Sequence, residues 1–224
     1  VGPPRRLRPM SRAEPGRKRT RMSSSERHEQ LLGVARALFA ERGFDGASVE
    51  EIASHAGVSK PVVYEHFGSK EGLYAVVADR ELRTLDDAIM TAIAKPSTSY
   101  RAVIERGTIA LLSYIDERPE GFRIISRDSP VGSTSGSFAL ILDHIADKVE
   151  DLLRPPLVRR GYDPALAGVY AHGLVGMVGS AGLAWVDRRE PDKERVAAEL
   201  VNLAWNGLAS MEHAPKLMSR TARG

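Results

Sequence analysis

Four helix starts are written into residues 23–69, and their spacing leaves room for little except short helices joined by tight turns. Ser23 is followed three residues later by Glu26, and Ser48 by Glu51. At that spacing a hydroxyl and a carboxylate satisfy orphan amide donors at a helix N-terminus. Ser59 precedes Pro61, which a first helical turn tolerates because no amide donor is needed there, so Ser59 is expected to cap a third helix. Ser69-Lys70-Glu71 opens a fourth. Gly43 sits where a helix C-terminus favours φ > 0, Gly57-Val58 form a tight turn, and the third helix stops near Gly68.

Apolar residues recur at three- and four-residue steps between these signals, as Leu31, Val34, Ala35, Leu38 and Phe39 in the first helix and Leu73, Val76, Val77, Leu82, Leu85 and Ile89 in the fourth. The fourth helix runs toward Pro96. Beyond it, helical patterns cover about 100–117, 122–127, 137–153, 164–186 and 192–211, with one Gly/Ser-rich break at 128–136. No alternating strand pattern or internal repeat interrupts them, so the expected fold is all-α.

Composition narrows the chemistry. The 224 residues include no cysteine, which excludes disulfides, thiolate zinc sites and cysteine nucleophiles. Net charge is +3, but residues 1–21 carry net +7 and the remainder −4. That Pro/Arg-rich segment has no helical or strand period and no apolar run after its charges. It reads as a disordered basic tail rather than a signal peptide. Residues 214–224 read as a second tail.

Residues 48–67 form a helix, a glycine turn and a second short capped helix with mixed polar groups. That is the arrangement by which a helix-turn-helix places its second helix in the major groove, although spacing alone also fits an αα-hairpin in a bundle. The residues add more. Phe39, Gly43 and Phe44, then Ser48-Val49-Glu50-Glu51-Ile52-Ala53, Ala56-Gly57-Val58-Ser59, Tyr64, His66-Phe67 and Lys70-Glu71-Leu73 together resemble the DNA-binding domain of the tetracycline-repressor (TetR) family of bacterial transcription regulators.

The resemblance implies a helix-turn-helix domain over 22–68, a linking helix over 69–95, and a ligand-binding and dimerisation domain over 96–213. It implies DNA contacts by Ser48, Ser59, Lys60, Pro61, Tyr64, His66 and Lys70. Ser48 caps a helix and also meets a phosphate, or only caps. Lys60 approaches a base or a phosphate, and Tyr64 a phosphate or a thymine methyl. His66 contacts the DNA backbone or is a plain helix-end histidine. Lys70 meets phosphate together with helix amide dipoles. Arg17, Lys18 and Arg19 of the tail track the backbone or enter a minor groove, or remain solvated.

Between Asp163 and Asp187 lie 23 residues without a formal charge, which reaches membrane-spanning length. His172, Tyr170, Ser180 and five glycines speak for a buried helix instead. Gly173, Gly176, Gly179 and Gly182 recur every third residue and form an expected ridge for close helix approach. With the resemblance, this helix and the last one are expected to build a homodimer interface through Gly173, Gly176, Gly179, Trp185, Leu200, Leu203 and Trp205. No membrane partner is expected, and the compartment implied is the bacterial cytoplasm, at the nucleoid.

The expected effector pocket draws on Tyr114, Phe122, Ile125, Phe138, Ile141, His144, Tyr170, Leu174 and Met177, each of which would serve equally as core. Asp128, His144 and His172 are the polar residues available to orient a ligand. The segment GLVGM at 173–177, with Trp185 and the later AWNGL, is similar to family members that sense acyl-CoA, which makes a hydrophobic or amphipathic effector the expected ligand. No cofactor and no metal are expected. The phosphate-loop, G-x-G-x-x-G, G-x-S-x-G and H-E-x-x-H motifs are missing; 132–136 has the elbow spacing but carries Thr134 at its centre. The sequence therefore reads as a homodimeric, ligand-responsive DNA-binding regulator, most simply a repressor, of a pseudo-palindromic operator. A helical protein-binding adaptor and an enzyme are the alternatives.

Overall fold

The computed structural model describes residues 22–97, 99–127 and 138–217. The basic tail with Arg17, Lys18 and Arg19, the break containing Asp128 and Thr134, and residues 218–224 lie outside the described residues. Nine α-helices and no strand are found among the described residues: α1 Ser24–Gly46, α2 Val49–Ala56, α3 Lys60–Phe67, α4 Lys70–Ala94, α5 Tyr100–Glu117, α6 Pro119–Ser126, α7 Phe138–Arg159, α8 Ala167–Trp185 and α9 Lys193–Ala209. A 3₁₀ turn, Pro164–Leu166, leads into α8.

The first three helices share one apolar core. Leu31, Ala35 and Phe39 of α1 meet Ile52 and Ala56 of α2, Val63 of α3 and Leu73 and Val77 of α4. A second core gathers Leu85, Ile89 and Ile93 of α4 with Leu112 and Ile115 of α5, Phe122 and Ile125 of α6, and Trp185. Helix α4 thus runs through both cores. So does α6, whose Ile124 belongs to the first core while its neighbours Phe122 and Ile125 belong to the second. The Tyr74 hydroxyl donates to the Ile124 carbonyl at 3.2 Å, and Arg127 donates to the Ala40 carbonyl at 3.0 Å. These bonds fasten the larger helical domain to the smaller one.

Local chemistry accounts for most boundaries. Ser23 and Glu26 cap α1 reciprocally, the Ser48 hydroxyl accepts from Glu51 N–H, and the Ser69 hydroxyl accepts from Gly72 N–H. Gly43 does not end α1 but kinks it: the backbone turns there to φ 73 and ψ 178, then resumes helical form through Gly46. The kink lets Phe44 pack edge-on to Tyr74, with ring centroids 5.2 Å apart. Helix α7 runs on to Arg159 through Pro155 and Pro156, six residues past the expected stop, because Leu153 and Leu157 both reach a third small core with Tyr162, Ala167 and Ala171. Helix α6 begins at Pro119 rather than near Phe122, with its proline in the first turn.

Candidate nucleic-acid interface

Helix α3 is presented by the turn before it. Gly57 adopts the left-handed conformation (φ 65, ψ 34), and the Val58 N–H returns to the Ala53 carbonyl at 3.0 Å. A residue with a Cβ would be strained there. Helix α1 holds α2 from behind, through Gln30 Nε2 to the Ala56 carbonyl at 3.2 Å and Arg42 to Glu51 at 2.5 Å. Val63 is buried against this pair, which turns Lys60, Pro61 and Tyr64 of the opposite α3 face outward.

The expected contact residues divide into two groups. Ser48, Ser59, Pro61 and Tyr64 are exposed, the tyrosine ring at 39%. The Lys60 ammonium lies 5.5 Å from the Tyr64 ring centroid and is ion-paired with Glu50 of α2. Ser59 departs from expectation, since its hydroxyl makes no cap bond. Pro61 has no N–H to offer it, and the Val62 N–H bonds instead to the Ser59 carbonyl at 3.0 Å. His66 is half-buried toward α1, tilted against His28 with centroids 5.8 Å apart. The Lys70 ammonium sits 4.4 Å over the Phe44 ring, at the start of α4.

The larger domain contains an apolar cavity, open to solvent at its mouth, between α4, α5, α7 and α8. Branched aliphatics line it: Ile89 and Ile93, Leu111, Ile145 and Val149, Val175 and Val178, with Gly107 and Thr108 leaving the room. Of the nine expected pocket residues only Leu174 lines it. Tyr114, Phe122, Ile125 and Phe138 fill the adjoining core, and Ile141 packs against that core half-buried. His144 is exposed, 3.8 Å from Asp86, while Tyr170 packs on the third core and Met177 is half-buried off the cavity wall. Helical spacing identifies an inward face but not whether the interior there is filled; bulky rings fill it and small residues leave it hollow. Gly107-Thr108 opposite a run of valines is the signal that would have located the cavity. Tyr100 and Leu153 also line a second apolar space, beside Arg159, Arg160 and Trp205.

The glycines of α8 do not form one ridge. Gly173 and Gly176 face open space, whereas a Cβ on Gly179 would stand 2.9 Å from Leu142, and one on Gly182 2.8 Å from Ile115. Three residues turn a helix by about 300°, so each step lags a full turn by about 60° and the stripe crosses from outside to inside over nine residues. Trp185 is likewise internal, its indole N–H donating to the Pro191 carbonyl at 2.7 Å. Leu200 and Trp205 are half-buried, and Leu203 is exposed at 64%. Although α8 with its leading turn is long and apolar enough to cross a membrane, only 22% of its most apolar stretch is buried within one chain.

Sequence reasoning missed a buried cluster between the domains. Glu81 of α4, 2% exposed, accepts from Arg118 Nε at 2.9 Å and Nη2 at 2.6 Å and from the Tyr114 hydroxyl at 3.0 Å. Arg36 of α1 approaches it to 3.7 Å. Burial by itself would raise the Glu81 pKa, but the Arg118 hydrogen bonds and charge, with Tyr114 and Arg36, outweigh it and hold the carboxyl below the usual range. Burial, and then the Glu81 charge, push the Tyr114 phenol up. The signal was a lone carboxylate four residues from both Val77 and Leu85, in the apolar stripe of α4.

Comparison with known proteins agrees with this geometry. Residues 31–77 match the family model for bacterial regulatory proteins of the tetR family, and residues 88–219 match a tetracyclin repressor-like C-terminal domain. The transcriptional activator FasR of Mycolicibacterium smegmatis is 31% identical over 202 residues, covering 89% of each chain. The regulator EthR of Mycobacterium tuberculosis is 33% identical over 86 residues, 38% of this chain and 40% of that one. A TetR-like transcriptional regulator from Rhodococcus sp. RHA1 superposes with a TM-score of 0.69 at 26% identity, over 85% of this chain and 100% of that one. The chain belongs to the tetracycline-repressor family of bacterial transcriptional regulators, and its helix-turn-helix is the DNA-binding end.

Proposed function

We propose that the protein grips a pseudo-palindromic operator as a homodimer and loosens that grip when an amphipathic molecule with a long apolar tail occupies the larger domain. The observation that carries the effector class is the cavity: an aliphatic lining with Thr108 and Tyr100 as its hydroxyls. A pocket of that kind selects for methylene chains and offers little to a polar solute. The neighbouring apolar space, which shares Tyr100 and Leu153 with it, is edged by Arg159 and Arg160 and suits an anionic head, so an acyl-CoA or a related acyl anion is the effector favoured. The outward face of α8 and α9, with Val169 65% exposed beside Gly173, Gly176 and Leu203, supports the dimer, because an apolar face of this extent is rare on a monomer.

Coupling between the two ends runs along α4 and α6, the helices shared by both cores. An effector that fits one spacing of the two recognition helices better than the other shifts the population by that difference. Repression is the direction proposed. The name of the M. smegmatis relative favours activation as the second reading. The test is a titration of the full-length dimer on its selected operator with palmitoyl-CoA, together with native mass spectrometry of the freshly purified protein. A carried-over acyl mass and at least tenfold weaker operator binding support the reading. No acyl mass and no change in affinity remove the effector class. Transcription in vitro from a promoter carrying the operator decides the direction.

A further inference from the structure

On the DNA-facing surface one ion pair stands where a bare cation would be expected. Lys60, the first residue of α3, is tied to the Glu50 carboxylate from the first turn of α2. Both side chains are solvent-accessible, at 43% and 62%, and the same ammonium lies over the Tyr64 ring. The hydrogen bond to Lys60 holds the Glu50 carboxyl below its ordinary range, so the pair is fully ionised at neutral pH. An exposed pair of this kind adds little stability, so the fold does not need it. A carboxylate also costs affinity on a surface that must approach phosphates. Its presence calls for a partner on the DNA that a carboxylate can use.

The major-groove edge of a G·C pair provides one. Guanine presents two acceptors, N7 and O6, while cytosine presents the N4 amino donor. O6 and N4 are themselves Watson–Crick partners, one hydrogen bond apart, which is the separation of an ammonium and a carboxylate in an ion pair. A lysine over O6 and N7 with a glutamate over N4 would therefore satisfy both charges without breaking their own contact. An A·T pair suits the couple less well. Thymine O4 and adenine N6 are likewise one hydrogen bond apart, but N6 lies between two acceptors, so a lysine on O4 leaves the N7 lone pair uncovered beside the carboxylate.

We infer that Glu50 is a specificity-determining residue that reads one G·C pair per half-site jointly with Lys60, the lysine on guanine and the glutamate on cytosine. This rests on the DNA-binding role of α3 and adds the base pair and the partner residue. Away from such a pair the couple is net neutral, so Lys60 displaces no counterion from the backbone. Glu50 thereby lowers non-specific binding while leaving the specific contact intact.

Selection of the full-length wild type, Glu50→Ala and Lys60→Ala from a randomised duplex library tests this. The expected wild-type result is a palindrome with one oriented G·C column per half-site, discriminated roughly five- to a hundredfold over A·T. Both variants should flatten that column and leave the others unchanged. On a duplex lacking the site, Glu50→Gln should bind more tightly than wild type, and the dimer's plot of log affinity against log salt should steepen by about 1.8, about 0.9 for each Lys60 set free. The same column in wild type and Glu50→Ala, or a column lost with Lys60→Ala alone, overturns the joint reading while leaving DNA binding intact. A wild type that enriches no sequence overturns both.

Discussion

Replacing Glu81 by glutamine keeps the side chain's shape and removes its charge. The carboxylate receives three hydrogen bonds, two from Arg118 and one from Tyr114, at 2.6–3.0 Å. Glutamine retains one acceptor oxygen but turns an NH2 group toward groups that are themselves donors. Hydrogen bonds to a charged group contribute about 1.5–3 kcal/mol each, and breaking a fully buried pair costs about 3–5 kcal/mol. Arg118 is 32% exposed and regains some hydration, which places the expected cost near the lower bound, at about 2 kcal/mol. For a chain of this size that lowers Tm by about 4–8 °C. The effect is pH-dependent. Because the folded-state pKa of Glu81 is depressed, its stabilisation is complete above the unfolded glutamate value of about 4.3 and is lost as pH falls through the folded value. Thermal melts of Glu81→Gln and wild type should therefore differ at pH 7 and converge below about pH 4. A gap under 1 °C at pH 7, or one that widens on acidification, would refute this reasoning.

The same cluster explains why residue 121 is glycine. A Cβ there would lie 2.1 Å from Glu81 Oε2 and 3.0 Å from the Tyr114 hydroxyl, so Gly121→Ala should cost about 1–3 kcal/mol by urea denaturation, and markedly less in a Glu81→Ala background. Equal costs in both backgrounds would place the strain elsewhere. Tyr64→Ala should weaken operator binding about tenfold in fluorescence anisotropy with Tm within about 2 °C of wild type, since the ring is outside the core; unchanged affinity would take Tyr64 off the contact surface. Gly176→Leu should weaken the dimer in sedimentation velocity at low micromolar concentration without unfolding the chain, whereas Gly179→Leu should destabilise the chain itself by about 1–3 kcal/mol through Leu142. A Gly176→Leu dimer as tight as wild type would show that this face is not the interface.

How far the fold was legible in the sequence depended on whether the deciding interaction was local. Caps at Ser23, Ser48 and Ser69 involve groups three residues apart, and each hydroxyl accepts at the expected helix start; the reciprocal carboxylate half forms at Ser23 but not at Ser48, because the Glu51 carboxylate pairs with Arg42 instead. The span of α5, 100–117, follows equally from a local stripe. Gly43 shows the limit: a glycine announces freedom at φ but not whether the chain turns away or kinks and continues. Pro155-Pro156 look like a stop until Leu157 is seen to belong to the same core as Leu153. At the recognition helix, Tyr64 and Lys60 were legible as an outward face, but the Glu50 partner ten residues away was not, because the pairing depends on how α2 and α3 cross. The cavity was least legible, since a hollow is a property of several helices at once.

The central claim is that two copies of this helix-turn-helix act together on one DNA site. Native mass spectrometry of the full-length protein on a selected palindromic duplex, alongside a duplex carrying a single half-site, tests it most directly. An even number of chains per palindrome, with half-site affinity lower by at least a hundredfold, is the predicted result. One chain per palindrome, bound as tightly as on the half-site, would contradict the account.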